Sequence, residues 1–387
     1  MKIVKSSVVA GLASLAVAAV PICASSATTP LVVIDAHNDT VQNLVADSAD
    51  FGVRSTNGSI DLPRLREGGV TVPFFAANVP PYYPEAEAVR RTLDFRDAMQ
   101  RVFDKYPNDI ELATSARQIE RLVANGKIAA ILTVEGGHQI SDDLAVLRTF
   151  RRVGFLSMTL THFKGNHWAD SATSPPLHDG LTDFGRQVVR EMNRIGMIVD
   201  VSHVSDKIFY DTLAVSTKPV IASHSSCRAL VDFPRNLDDA MLRALSKNGG
   251  VVGINFYSAY VNAEDADAAR KLIKSINAID TSLAGPSLDT YAVKQRIESG
   301  EANPVVGKAS ITDVVACIDH AVKVAGIEHV GIGADFDGIP QVPRGLEDIS
   351  KMPAPKKALK NQGYSDSDIR KIMGENFLRV IREVVGE

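Results

Sequence analysis

Eight short apolar runs, each closed by a polar residue, constrain this chain more than any other feature of it. They are Leu31–His37, Thr71–Asn78, Ile128–Glu135, Phe155–His162, Met197–His203, Val220–His224, Val251–Asn255 and Val330–Asp335. Rich in Val and Ile and mostly too short for helices, they read as strands buried on both faces, the pattern of a parallel sheet. Between most of them lie segments with helical spacing: Glu85–Phe103, Ala116–Ala124, Asp142–Val153, Thr182–Ile195, Ser205–Ala214, Asp238–Lys247 and Ile311–Ala325. Several open on a Ser, Thr or Asp able to cap a helix. Glycines at Gly68-Gly69, Gly154, Gly196 and Gly249-Gly250 restart the next run. Strands alternating with helices in this way predict an α/β fold, a (β/α)8 TIM-like barrel. A doubly wound open sheet would instead place a glycine-rich phosphate loop after the first strand. Here that strand ends in His37-Asn38-Asp39 with no glycine nearby.

The ends of the chain and one insertion stand outside this alternation. Lys2 and Lys5 precede an apolar stretch from Val8 to Ile22, followed by small residues at Ala24, Ser25, Ser26 and Ala27. That is the order of a secretory signal peptide, so we expect residues 1–27 to be removed and 28–387 to form a single barrel domain. The apolar stretch is short for a membrane span. An uncleaved anchor is the competing reading, and Cys23, after Val20-Pro21-Ile22, is a poor site for lipid attachment. The mature chain is expected to be secreted or periplasmic, without stable membrane insertion. A net charge of −4 gives no argument for nucleic acid or an anionic surface. Cys227 and Cys317 either pair or stand as separate thiols. Asn262–Gly307, between the seventh strand and its helix, reads as an excursion over the barrel mouth, with Lys271–Ile279 helical. Asp366–Val385 reads as one closing helix whose apolar face is Ile369, Ile372, Met373, Phe377, Val380 and Ile381.

The residues that close the strands carry the chemistry. In such a barrel the C-terminal strand ends converge on one face, which would gather His37, Asp39, Glu135, His162, His203, His224 and Asp335. The chain has nine histidines, and four of them occupy this position. A single strand-end His is most often a hydrogen-bonded structural residue, and a single Asp after a strand a helix cap; the combination on one face is not explained that way. Neutral imidazoles and carboxylates are the ligand set of zinc and other first-row divalent ions. His37 and Asp39, two apart on an extended strand, point to the same side and can reach one ion. His203 and His224 can hold a second from neighbouring strands, with the two oxygens of Glu135 between. Two such ions can share and activate a hydroxide. Thr133-Val134-Glu135-Gly136-Gly137 lacks the serine of a nucleophile elbow.

These residues resemble the membrane (renal) dipeptidase family of zinc peptidases, including its bacterial members. The resemblance runs from Asp35 to about Val380 through Asp35-Ala-His-Asn-Asp39, Val134-Glu-Gly-Gly137, Leu160-Thr-His162, Asp200-Val-Ser-His-Val-Ser205, Ser223-His-Ser-Ser226, Arg235-Asn236, Asn255-Phe-Tyr257, Gly333-Ala-Asp-Phe-Asp-Gly338 and Gly345-Leu-Glu-Asp348. It implies a barrel holding two Zn2+ per chain, with His37 and Asp39 on one ion, His203 and His224 on the other, and Glu135 bridging both. It implies that His162 stabilises the oxyanion, that Arg235 binds the C-terminal carboxylate of a dipeptide, and that Tyr260 also contacts substrate. Asp335 would pass a proton from the attacking water to the leaving amine. We expect a D-residue to be accepted at the C-terminal side. Family members often pair as dimers, although no strip of this sequence identifies an interface.

The sequence departs from the family in three places. Phe233 stands where members often carry a His, the Asn262–Gly307 excursion is longer than in the animal enzymes, and no hydrophobic tail for a lipid anchor follows the barrel. Asp337 reads as a loop support rather than a catalytic acid. Two other functions compete. An amidohydrolase of the same barrel, acting on a cyclic amide, lactone or phosphoester, would commonly show His-x-His on the first strand and a modified Lys on the fourth; this chain has His37-Asn38-Asp39 and His162. A secreted binding protein that had lost turnover would lack one or more ligands, and all five are present.

Overall fold

In the computed structural model, which describes residues 1, 7, 31–46, 50–81, 83, 85–277 and 305–387, all eight apolar runs form strands. They are β1 (Ile34–Asn38), β2 (Val72–Asn78), β3 (Ile128–Glu135), β4 (Phe155–Thr159), β5 (Ile198–Asp200), β6 (Ile221–Ser225), β7 (Val251–Ile254) and β8 (Val330–Ile332). Each pairs in parallel with its neighbour in sequence order. The ring closes through the turn after β8, where Asp335 N donates to His37 O at 3.0 Å and Asp39 N to Phe336 O at 2.9 Å. The fold is therefore the expected (β/α)8 TIM-like barrel. A short strand, Ile110–Leu112, adds to the start of β3 outside the ring.

Alternation along the strands divides the core. One apolar cluster collects Ile34, Phe74, Ile131, Leu156, Ile198, Ile221 and Val251, one or more residues from each of β1 to β7, so it fills the barrel interior. The other takes the alternate residues, such as Phe75, Leu132, Met158, Val199, Ala222 and Val252, and packs them against the helices. The expected helices form with shifts of a few residues at their ends. Ser115, Asp143, Thr182, Ser205 and Asp238 each accept a backbone N–H of the helix they open.

Four strands end earlier than their apolar runs, β7 by the single residue Asn255 and three others by more. β4 stops at Thr159, β5 at Asp200 and β8 at Ile332, so His162, His203 and Asp335 stand on the turns that follow. His203 (φ 71°) and Asp335 (φ 64°) adopt the left-handed conformation, which ends an extended strand and costs an L-residue roughly 1–3 kcal/mol. The closing helix is also not continuous. It runs Asp366–Arg370, a wider turn Lys371–Glu375, then Asn376–Val384. The interruption falls at Gly374, where an added Cβ would stand 2.3 Å from the Val32 carbonyl oxygen. Backbone packed against backbone there replaces a regular turn. Phe377, Val380 and Ile381 beyond it join the interior cluster, so this helix plugs the barrel.

The excursion begins with a helix at Ala266–Asn277, earlier than the expected Lys271, and residues 278–304 lie outside the described set. It returns as a strand, Val305–Ser310, paired in parallel with Gln341–Arg344, a small second sheet that apolar periodicity did not reveal. Its two ends are tied together: Asp265 Oδ2 accepts the backbone N–H of Lys308 (2.8 Å) and Ala309 (3.0 Å). Cys227 and Cys317 are separate buried thiols, with Cys227 Sγ donating to the Cys317 carbonyl at 3.4 Å. The barrel and its appendages, from Leu31 to Glu387, form one compact unit. The signal-peptide reading and Cys23 fall outside the described residues. No helix among the described residues is long and apolar enough to cross a membrane.

Candidate metal centre and active site

Each strand delivers its closing polar residue to the same mouth of the barrel. His37 stands in β1 and His224 in β6, Glu135 ends β3, and Asp39, His162, His203 and Asp335 follow their strands; all seven are buried. Glu135 sits between the imidazoles. Its Oε2 lies 3.4 Å from His37 Nε2, and its Oε1 lies 3.0 Å from His203 Nε2, 3.3 Å from His224 Nε2 and 3.7 Å from His162 Nε2. His37 Nε2 also faces Asp335 Oδ1 at 3.8 Å and Asp39 Oδ1 at 4.0 Å. The His37 and His224 rings stack at 3.7 Å. His203 and His224 bring their Nε2 atoms to 2.9 Å.

This arrangement fits bound cations. Ligand atoms of His37, Glu135 and His224, of Glu135, His162 and His203, and of His37, Asp39 and Asp335 lie within 4.8 Å of one another in each group. His37 Nε2 and Glu135 Oε2 are buried without a hydrogen-bond partner, which a folded protein rarely tolerates without an ion, water or function to explain it. Nitrogen and carboxylate donors together suit a borderline-soft divalent ion.

The charges of the metal-free cluster are shared out by burial and proximity. Burial alone would lower the His37 imidazole, but the carboxylates of Glu135, Asp335 and Asp39 prevail and hold it at about 10. Burial works against the Glu135 carboxylate, yet His37 and His162 hold it well below the ordinary carboxylate range. His203 and His224 are pushed down and stay neutral, first by burial and then by the positive charges of Arg235 and His37 respectively. Asp335 is pushed up to about 6 by burial.

A cationic pocket adjoins the cluster. Arg235 is only 2% exposed. Its guanidinium donates to His224 O (3.0 Å) and Ser225 Oγ (3.4 Å), and its Nε has no partner. It forms no ion pair among the described residues, so it is a buried cation rather than half of a surface ion pair. Tyr260 lies against it, 5.6 Å from ring centroid to guanidinium carbon. Two rings pack on Tyr260, that of Phe233 at 5.0 Å and that of Tyr257 at 4.8 Å. Arg270 of the excursion helix covers Phe233 and donates to Asp232 O at 2.7 Å. Phe233 thus joins the excursion helix, through Tyr260, to the surroundings of Arg235.

Two asparagines escaped the sequence reading. Asn78 Nδ2 reaches Asp39 Oδ2 at 3.5 Å. Asn255 Nδ2 donates to Asp335 Oδ2 at 2.8 Å, while its Oδ1 accepts Tyr257 N at 2.6 Å, which fixes the amide's orientation. Both close apolar runs, as the ligands do, but an amide is a weak metal ligand and the pattern alone does not single them out. Asp337 is confirmed as a loop support, accepting from Thr40 Oγ1 (2.7 Å) and Ser59 N (2.6 Å).

The sequence profile of the family described as membrane dipeptidase (peptidase family M19) matches residues 23–386. The chain is 36% identical to Dipeptidase tcpJ of Claviceps purpurea over 368 residues, covering 90% of this chain and 76% of that protein. An uncharacterized dipeptidase of Schizosaccharomyces pombe is 37% identical, with 90% and 79% covered. Among solved structures, the probable dipeptidase PvdM of Pseudomonas aeruginosa superposes with a TM-score of 0.77 at 28% identity, covering 92% of this chain and 95% of that one. A Rhodobacter sphaeroides metallopeptidase, solved with a phosphinate mimic of the dipeptide L-Ala-D-Ala, gives 0.76 at 25% identity, with 92% and 99% covered. The chain therefore belongs to the membrane dipeptidase family, peptidase family M19, whose members hydrolyse dipeptides.

Proposed function

We propose that this chain is an exported two-zinc dipeptidase that hydrolyses the single amide bond of its substrate and accepts a D-residue at the C-terminal side. One observation carries the reading: Glu135 turns Oε2 to His37 and Oε1 to His203 and His224, the attitude of a carboxylate shared by two ions. In this reading His37 and Asp39 hold one zinc, His203 and His224 the other, and Glu135 both. Metal bound by these residues would supply Lewis acidity and a water activated near neutral pH. Arg235 takes the substrate's C-terminal carboxylate through paired N–H donors, with Tyr260 closing the pocket beside it. His162 donates to the oxygen that becomes negative as the carbonyl is attacked. Asp335, steadied by Asn255 and raised to about 6 by burial, accepts the proton of the attacking water and returns it to the leaving amine.

Acceptance of a D-residue is supported by the mimic bound to the Rhodobacter protein, and export by the charged, apolar and small-residue order of residues 1–27. The test is metal analysis with a dipeptide stereoisomer panel. Two zinc per chain, loss of dipeptide cleavage after dialysis against a strong chelator, and recovery with zinc are expected. Cleavage undiminished in metal-free protein would overturn the reading.

A further inference from the structure

The turn that carries His162 is held from behind by the loop that follows it. Asn166 Nδ2 donates to Leu160 O at 2.9 Å, Ser171 Oγ to His162 O at 2.6 Å, and Thr173 Oγ1 to Phe163 O at 2.9 Å. Asn166 and Ser171 are buried. A carbonyl oxygen only accepts, so the side chains are the donors. The Asn166 amide cannot be reversed, because its Oδ1 accepts the backbone N–H groups of Trp168 (3.0 Å) and Ala169 (2.9 Å). Ser171 Oγ also lies 3.2 Å from Thr173 Oγ1 and 3.3 Å from His203 O. Its 2.6 Å approach to the His162 carbonyl, an oxygen without a proton, nevertheless needs the hydroxyl hydrogen between the two.

The same loop reaches the strand ends on either side. Towards β5, Ala172 N donates to His203 O at 2.8 Å and Ser205 N to Asp170 O at 3.0 Å, and Ser171 pairs antiparallel with Val204. Towards β3, the buried Trp168 ring covers Gly137, where an added Cβ would stand 2.3 Å from Trp168 Cζ2. One loop thus spans the ends of the three strands that deliver Glu135, His162 and His203. Its bonds are unevenly placed. His203 O keeps the backbone N–H of Ala172 whatever stands at position 171, whereas the bond to His162 O belongs to the Ser171 side chain. We propose that Ser171, seconded by Thr173, is a positioning residue for His162. Its hydroxyl holds the His162 backbone and so sets the imidazole where it faces Glu135 Oε1 at 3.7 Å and the His203 ring at 4.6 Å. This rests on the oxyanion role given to His162 under Proposed function. A donor that must meet a developing charge works best when it is fixed before the charge appears, and a displacement of about 1 Å can cost ~100-fold in rate.

The experiment is a double-mutant cycle on wild type, Ser171→Ala, His162→Ala and the double variant, with zinc content measured on each preparation. Ser171→Ala should keep the wild-type zinc content, lower kcat by ~10–100-fold and leave KM within about twofold. His162→Ala alone should lose ~10²–10³-fold. In that background Ser171→Ala should cost less than about twofold, because no imidazole remains to be positioned. In the metal-free proteins, Ser171→Ala should move the His162 ring resonances in an NMR spectrum and leave those of His224 in place. A merely structural role would give the same loss in both backgrounds. That additivity, a loss matched by a loss of zinc, unchanged kcat, or unmoved His162 resonances would each overturn the proposal. Wild-type turnover in His162→Ala would overturn the oxyanion role itself and the proposal with it. Should Ser171→Ala fail to fold, Thr173→Val carries the same cycle: it is nearly isosteric at a half-buried position, loses the bond to Phe163 O, and should lower kcat by about 2–10-fold only where His162 is present.

Discussion

Two groups of histidines and carboxylates lie on the loop-bearing side of this barrel, and their distances alone would not tell them apart. The inner one is built on Glu135. The outer one joins Glu85, Asp142 and His167, whose Nδ1 lies 2.8 Å from Asp142 and 3.0 Å from Glu85. The inner residues are buried and leave His37 Nε2 and Glu135 Oε2 without hydrogen-bond partners. The His167 side chain is 72% exposed, and both its carboxylate partners converge on one nitrogen. The inner group also spreads its ligands around a carboxylate with two working faces. Proximity makes a cluster in both places; burial with unfilled valence makes a binding site in only one.

The largest effect that could break this comparison is at Glu135. Glu135→Gln keeps the shape but removes the charge, and its NH2 must face one of the two imidazole groups it now serves as acceptor. We expect zinc content to fall and kcat/KM for dipeptides to drop by at least ~10³-fold, about 4 kcal/mol of transition-state stabilisation. Elemental analysis and steady-state kinetics on the same preparation check it. Wild-type turnover in this variant would remove Glu135 from the centre of the site.

The comparison also shows what the sequence made legible. Glu135, His37 and His224 were found because a buried strand that ends in a ligand-type residue is unusual, and because barrel geometry sends every such end to one face. His162, His203 and Asp335 were found by the same pattern although their strands stop short of them; the left-handed turns at His203 and Asp335 are matters of local strain that apolar periodicity does not register. Ser223 lies inside a motif without a role in the sequence, because its contact with His224 Nδ1 is visible only in the folded strand. Gly374 broke an otherwise amphipathic helix for a reason that lies in the Val32 backbone, far away in sequence. Fold and ligands were thus written in periodicity, whereas supporting hydrogen bonds and backbone contacts required the assembled barrel.

Arg235 sharpens the comparison from the substrate side, since it is the inner site's unpaired cation while the outer group is overwhelmingly acidic. Arg235→Lys preserves the charge but loses the planar pair of donors, one of which reaches His224 O. We expect kcat/KM to fall by roughly 10–100-fold, the loss of about one charge-assisted hydrogen bond, and to appear mainly in KM. Blocking the substrate's C-terminal carboxylate as an amide should then cost the variant less than the wild type. An equal cost in both would show that Arg235 does not receive that group.

The smallest effects belong to the outer group, and they test whether it binds anything. Glu85, Asp142 and His167 already satisfy one another, with Ser141 Oγ also donating to Glu85 Oε2 at 3.4 Å, so removing the imidazole leaves no unmet buried valence. His167→Ala is expected to leave zinc stoichiometry unchanged and dipeptide turnover within about twofold, as surface ion pairs of this kind contribute little. The ring should nonetheless report its neighbours. Its hydrogen bond to Asp142 raises it above the ordinary imidazole value, so the bond's contribution is fully present below about pH 6.5 and is lost as pH rises through the raised value. An NMR titration should place His167 above 6.5 in the wild type and lower in Asp142→Asn. If the wild-type titration moved instead on adding zinc, and His167→Ala lost a bound ion, exposure would no longer separate the two groups, and the distinction drawn from burial would fail at the place where it is easiest to measure.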